Sequence, residues 1–245
     1  AIELEGLELF PIHGTWGDVQ AWSNPGMMDL LQNLFGNTET IIRIRKDSEG
    51  NPILRKEQKT SWSGFNADKA RRQAAKEYVD FIKASMIEGE PITILGHSHG
   101  GNVSVLIMDM IANDPYFEGV ELNLITLNTP SREYKLSGFA INNVDQYNVF
   151  NRKDPVQISG GSLIKLGAGK SKFGELFGAK RTFTGAFNIE YESAATGIKG
   201  YHQGWRIENF KVWFPQLKQE VHKKANGKVR KKKPNQPARK YEYDN

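Results

Sequence analysis

Pro91-Ile92-Thr93-Ile94-Leu95 is a nearly unbroken apolar run that passes without a linker into Gly96-His97-Ser98-His99-Gly100-Gly101-Asn102, and a helical pattern follows at once to about Ala112. A strand that is apolar on both sides needs cover on both faces, which is the condition of a central strand in a parallel sheet. The pattern G-x-S-x-G is common by chance and on its own can be a plain glycine-rich turn. Set between such a strand and a helix, it becomes a strained corner with the Ser98 hydroxyl projecting above the sheet. Gly96 and Gly100 let neighbouring backbone close in on that corner. The start of the helix offers positive dipole potential, and the N–H of His99, to an oxyanion forming over Ser98.

Elsewhere apolar runs alternate with helical stripes, the rhythm of an α/β sheet. Strands are expected at 7–12, 40–44, 59–62, 120–127, 146–150 and 182–191. Helices are expected at 27–35, at 205–224, and from an Asn66 cap to about Glu88 with Ala70, Ala74, Tyr78, Phe81 and Ile82 facing inward. Residues 155–200 are glycine-rich and irregular and read as a lid or insert. From Ala225 onward lysine, proline, asparagine and glutamine dominate, as in a disordered tail. The fold class is α/β: a mostly parallel central sheet, helices on both faces, a minimal cap or lid, one domain over 1–224 and a basic tail over 225–245.

Cysteine is absent from the 245 residues, which excludes disulfide frameworks, thiolate metal sites and cysteine nucleophiles. The formal net charge of +5 is uneven, because ten of the lysines and arginines but only three of the acids fall in 218–245. The rest of the chain is slightly acidic, a distribution that disfavours nucleic acid as a partner. No run reaches the roughly 18 apolar residues of a spanning helix, and no leader-like segment is present. A soluble protein is expected, and the start at Ala1 without Met reads as a processed chain or a piece of something longer.

A serine hydroxyl becomes a useful nucleophile when a base takes its proton and a carboxylate orients that base. In this architecture the chain order is serine, acid, histidine. Only His202 and His222 lie downstream of the corner. His202 follows a candidate strand and precedes the last helix, whereas His222 lies beside the basic tail, so His202 is the expected base. Asp154 sits just past a strand and is the expected acid; Asp145 precedes that strand at the wrong edge, and Glu190 and Glu192 are weaker alternatives. His13-Gly14-Thr15-Trp16 closes the first strand and would place a second oxyanion donor, the Thr15 N–H, beside Ser98, although His13-Gly14 can also be a simple strand end. Loss of one such donor typically costs about 10²–10³ in rate. His97 and His99 have H-x-H spacing, but Gly100-Gly101 stand where further ligands would be needed, so neither metal nor cofactor is expected.

These residues resemble the serine α/β-hydrolase superfamily, and within it the lipase-like branch with HG-x and GHSHGG signatures, from about Leu7 to Lys224. The segment Trp62-Ser63-Gly64-Phe65-Asn66 to Tyr78, followed by GHSHGGN, is also similar to lipase-like domains at the C-termini of bacterial polymorphic toxins and to lipase effectors delivered by secretion systems. The stretch between corner and histidine is shorter than in a typical lipase and leaves no room for a large helical cap. The resemblance implies a cofactor-free serine esterase acting on lipids, foremost a phospholipase of type A, in a delivered toxin with an immunity or delivery partner. Residues 156–185 interleave Leu163, Leu166, Phe173 and Phe177 with Lys165, Lys170 and Lys172, which suits a loop meeting an anionic membrane surface. The same loop can equally pack its apolar residues on the core. The tail would add about 1 kcal/mol per cation near such a surface. Two other readings stay open: a soluble esterase or thioesterase for small or protein-linked acyl groups, and a catalytically idle hydrolase fold used for binding.

Overall fold

The apolar runs pair side by side as parallel strands, and the helical stripes between them cross over to cover both faces of one sheet. The structure, a computed structural model, describes residues 8–14, 22, 24–37, 39–55, 58–86, 91–132, 134–159 and 180–227. In chain order the elements are β1 (Glu8–Ile12), α1 (Pro25–Phe35), β2 (Glu39–Thr40), β3 (Leu54–Arg55), β4 (Gln58–Lys59), α2 (Asp68–Ser85) and β5 (Ile92–His97). There follow α3 (His99–Ala112), β6 (Leu122–Leu127), α4 (Ala140–Asn143), β7 (Val144–Asn151), α5 (Pro155–Ser159), β8 (Phe187–Tyr191), α6 (Gly197–His202) and α7 (Ile207–Gly227).

The main sheet has the order β2-β1-β5-β6-β7-β8, and every neighbouring pair in it is parallel. β1 leads outward to β2, while the chain after α2 returns to β1's other side as β5. The strand order therefore reverses between β1 and β5, and in an open parallel sheet the crevice beyond the strands' carboxyl ends at that point is where ligands bind. Both the Ser98 corner and the His13-Gly14 turn open onto it.

Side chains alternate across a strand, and the core divides accordingly. Phe10, Ile94 and Leu124 face α2 and α3 in one buried cluster. Leu9, Leu95 and Ile125 face the other way, against Met27 and Leu31 of α1 and Phe210, Trp213 and Leu217 of α7. α1 is closed at both ends, by the Asn24 side chain accepting from Met27 N and by Gly36 in the left-handed conformation.

Several sequence expectations change in detail. The strand expected over 40–44 keeps its sheet pairing only at Glu39–Thr40, because beyond Ile41 the chain leaves the sheet and Arg43 takes Ser61 O and Glu77 as partners. The expected 59–62 strand reduces to the two-residue β3–β4 hairpin. Asn66 does not cap α2: Ala67 holds that position without a side-chain bond, and Asn66 Oδ1 accepts from Arg71. Arg71 is buried, so its guanidinium needs partners, and the Tyr134 hydroxyl accepts from it while donating a hydrogen bond to Asp68. The inward stripe of α2 accordingly includes Arg71, Ala75 and Val79 as well as Ala74, Tyr78 and Ile82. Trp16, residues 160–179 of the expected lid and the tail from 228 onward lie outside the described residues. Among the described residues no helix is long and apolar enough to cross a membrane.

Candidate active site

The link between β5 and α3 is a single residue, Ser98, held at φ 55° and ψ −129°. For a non-glycine residue this backbone costs on the order of 1–3 kcal/mol and persists only where the surroundings impose it. Here Ser98 N donates to Leu127 O at 2.9 Å and Gly101 N donates to Ser98 O at 3.0 Å. The flanking glycines are required by close approach. A Cβ on Gly96 would overlap Ser104 Oγ, and one on Gly100 would overlap the His13 carbonyl oxygen. A Cβ on Gly14 would stand 2.7 Å from Ser98 Cβ.

His202, the last residue of α6, reaches this corner with Nε2 2.9 Å from Ser98 Oγ. Its Nδ1 lies 2.7 Å from Asp154 Oδ2. Asp154, in the turn after β7, is buried and its other oxygen accepts from Val156 N at 2.9 Å and Gln157 N at 3.4 Å. A carboxylate so placed can only accept, so Nδ1 carries the proton and the Nε2 lone pair faces the serine O–H. The three side chains thus stand in the relation that a nucleophile, a base and its orienting group would need for acyl transfer.

The alternatives do not approach Ser98. His222 is exposed on α7, and Asp145, at the opposite end of β7, pairs with Lys224. Glu190 pairs with Arg152 at 2.7 Å and Glu192 with Lys153 at 2.5 Å. His99 is the first residue of α3, where helical N–H groups point out along the axis. Thr15, the other expected oxyanion donor, lies outside the described residues.

His13 turns its ring into the protein. Its Nδ1 donates to Gly14 O at 2.7 Å, its Nε2 accepts from Ser61 N at 2.9 Å, and its carbonyl accepts from Trp62 Nε1 at 2.8 Å. The residue therefore fastens the end of β1 to the 61–62 segment. Trp62 is core and lies stacked along this ring.

Sequence reasoning missed two contributors. His97 is buried, and its Nε2 donates to the main-chain oxygen of His202 at 2.8 Å. Burial, with His202 beside it, pushes the His97 imidazole down to about 3, so the ring is neutral at ordinary pH. Asn128, with Ser98 the other non-glycine at positive φ among the described residues, bonds Asp154 Oδ2 through Nδ2 at 3.0 Å. The signal for His97 was its place before the serine, read only as half of an H-x-H pair; for Asn128 there was only its place at a strand's carboxyl end. Among the described residues no three His, Cys, Asp or Glu side chains gather as a metal site.

Solved structures similar to this chain include a predicted CIB-like hydrolase from Thermoplasma acidophilum, 13% identical with a TM-score of 0.48 over 92% of this chain and 89% of that one. MGS-MChE2, an α/β-hydrolase enzyme from a metagenome of Mar Chica lagoon sediments, is 15% identical with a TM-score of 0.47 over 91% and 93%. A Bacillus cereus carboxylesterase is 12% identical with a TM-score of 0.45 over 89% and 92%. No family model matches the chain, and no curated protein does. The chemistry therefore rests on the site itself. The parallel sheet in the order β2-β1-β5-β6-β7-β8, the serine corner after β5 and the acid and histidine delivered after β7 and β8 give this chain the α/β-hydrolase fold.

Proposed function

We propose that this chain is a serine esterase that hydrolyses carboxylic esters through an acyl-enzyme. The observation that carries the reading is the continuous relay Ser98 Oγ, His202 Nε2, His202 Nδ1, Asp154 Oδ2, with both steps at hydrogen-bond length. Ser98 attacks the ester carbonyl as its proton passes to His202 Nε2, and Asp154 stabilises the imidazolium that results. The His99 N–H and the start of α3 stabilise the oxyanion, with the Thr15 N–H as a second donor. The imidazolium then protonates the departing alkoxide, and water, activated by the same base, releases the acid and restores Ser98.

Lipid esters, phospholipids foremost, are the proposed substrates. Support comes from the apolar and cationic residues interleaved in 156–185 and from the cation-rich tail, both suited to an anionic bilayer. A delivered toxin with an immunity partner is the matching biological role, supported by the sequence resemblance alone.

The test compares the wild type with Ser98→Ala on p-nitrophenyl butyrate and on vesicles of anionic phospholipid, alongside labelling by a fluorophosphonate. Loss of roughly 10³-fold or more in turnover, with labelling confined to Ser98, is the expected result. Retained turnover in S98A rejects the assignment. Cleavage of the soluble ester but not of vesicles replaces the lipid reading with a soluble esterase, and a wild type neither active nor labelled is a binding fold.

A further inference from the structure

Asn128 directly follows β6 and holds the left-handed backbone region at φ 48°, buried. Asparagine tolerates that conformation better than most residues. Its amide is fully engaged. One Nδ2 proton goes to Asp154 Oδ2 at 3.0 Å and the other to Tyr201 O at 3.1 Å, while Oδ1 accepts from the Tyr191 hydroxyl at 2.9 Å. Burial pushes the Tyr191 hydroxyl up, so it remains a donor. The backbone N–H of Asn128 is tied to Val149 O at 2.9 Å.

We infer that Asn128 is a positioning residue for the relay: one amide fixes both the carboxylate that orients His202 and the peptide carbonyl immediately before His202, and it holds back part of that carboxylate's charge from the imidazole. The inference rests on the catalytic reading of Ser98, His202 and Asp154 proposed above.

Asp154 Oδ2 is shared between His202 Nδ1–H and Asn128 Nδ2–H, and Oδ1 between two backbone N–H groups. Removing the amide donor leaves Oδ2 a stronger acceptor for His202 alone. That favours the imidazolium and moves the acid limb of activity to higher pH. Among the described residues the Arg181 guanidinium also acts on Asp154 through its charge, in every variant alike. Arg181 bonds the backbone oxygens of Asn151 and Asp154, and His97 bonds His202 O. Arg152 and Lys153 face Glu190 and Glu192. Tyr201 O also accepts from Asn151 Nδ2 at 3.3 Å, so it loses one of two donors; the ring that must meet Ser98 is held less tightly, and kcat falls even where His202 is neutral.

The experiment measures kcat and KM against pH on p-nitrophenyl butyrate for the wild type, Asn128→Asp and Asn128→Gly, with rates normalised to Ser98 titrated by a fluorophosphonate. N128D is nearly isosteric and replaces the donor by an acceptor. N128G removes the donor and accepts the left-handed backbone without strain. The expected result in both is an acid limb raised by roughly half to one pH unit, with kcat on the plateau down about ten- to a hundredfold and KM little changed. If N128D does not fold, N128G decides. An unmoved limb in the folded variants overturns the inference while leaving the catalytic reading intact, and failure of both variants to fold overturns it too, marking Asn128 as a structural anchor. A wild type that neither turns over nor labels at Ser98 sinks the catalytic reading instead.

Discussion

Replacing His97 with Gln should flatten the dependence of stability on pH between about 7 and 5. The His97 ring lies buried below the Ser98 corner with Nε2–H engaged by His202 O, and burial holds it down to about 3. In the unfolded chain a histidine titrates near 6.5, about as free imidazole does. Between those values the unfolded chain takes up a proton that folded His97 refuses. The stabilisation is therefore complete above about pH 6.5 and is lost progressively as pH falls toward the folded value. Each pH unit in that window costs about 1.4 kcal/mol, so acidification from about 6.5 to 5 removes about 2 kcal/mol. In a chain of 245 residues each kcal/mol corresponds to roughly 2–4 °C of Tm, hence about 4–8 °C for this one group. Glutamine places an amide donor near the position of Nε2 and does not titrate. H97Q should keep the bond to His202 O and much of the activity, while losing this contribution to the acid slope. Every other titrating group acts on both proteins alike, so the difference between their melting curves, by calorimetry at pH 7, 6 and 5, isolates His97. Parallel falls in Tm would mean that folded His97 takes a proton as readily as an exposed ring, and the reasoning would be refuted.

Asp154→Asn presents an amide to the imidazole where only an acceptor orients Nε2 toward Ser98. It should lower kcat by about 10³–10⁴ in steady-state assays near pH 8; more than a tenth of wild-type activity would assign the orienting role to another group. Gly100→Ala puts a methyl group into the His13 carbonyl oxygen and 2.6 Å from that of Ile12. The strand end or the helix must move, at about 1–3 kcal/mol, read from a urea midpoint. An unchanged midpoint would mean that α3 does not pack against the end of β1 so closely.

What could be read in the sequence was what is local. The Ser98 corner is specified within a dozen residues, because a doubly buried strand, three glycines and a helix start all adjoin it. Asp154 and His202 were reachable by chain order and scarcity, since two of the five histidines follow the corner. Asn128 was not, because its meaning lies in partners 26 and 73 residues away. The Asn66 expectation failed for a related reason: a buried arginine one helical turn on competes for the same side-chain oxygen, and burial is invisible in a polar-looking heptad. α5 and α6, of five and six residues, are too short to form without tertiary support and leave no periodicity to read.

Three of the histidines around Ser98, namely His13, His97 and His202, differ in what their ring nitrogens meet. His13 sits between a carbonyl and an N–H, so only the neutral Nδ1–H form fits; a second proton would face the Ser61 N–H. His97 donates to a carbonyl from a buried position, where burial and the neighbouring His202 disfavour a positive charge. His202 alone has a carboxylate on one nitrogen and a hydroxyl on the other. It is thus the one ring of the three that bridges a carboxylate and the serine hydroxyl. His202 Nε2 is within hydrogen-bond reach of Ser98 Oγ, while the rings of His13 and His97 are engaged by other partners. His13 and His97 give the end of β1 and the backbone of His202 fixed positions through hydrogen bonds to main-chain groups and to Trp62.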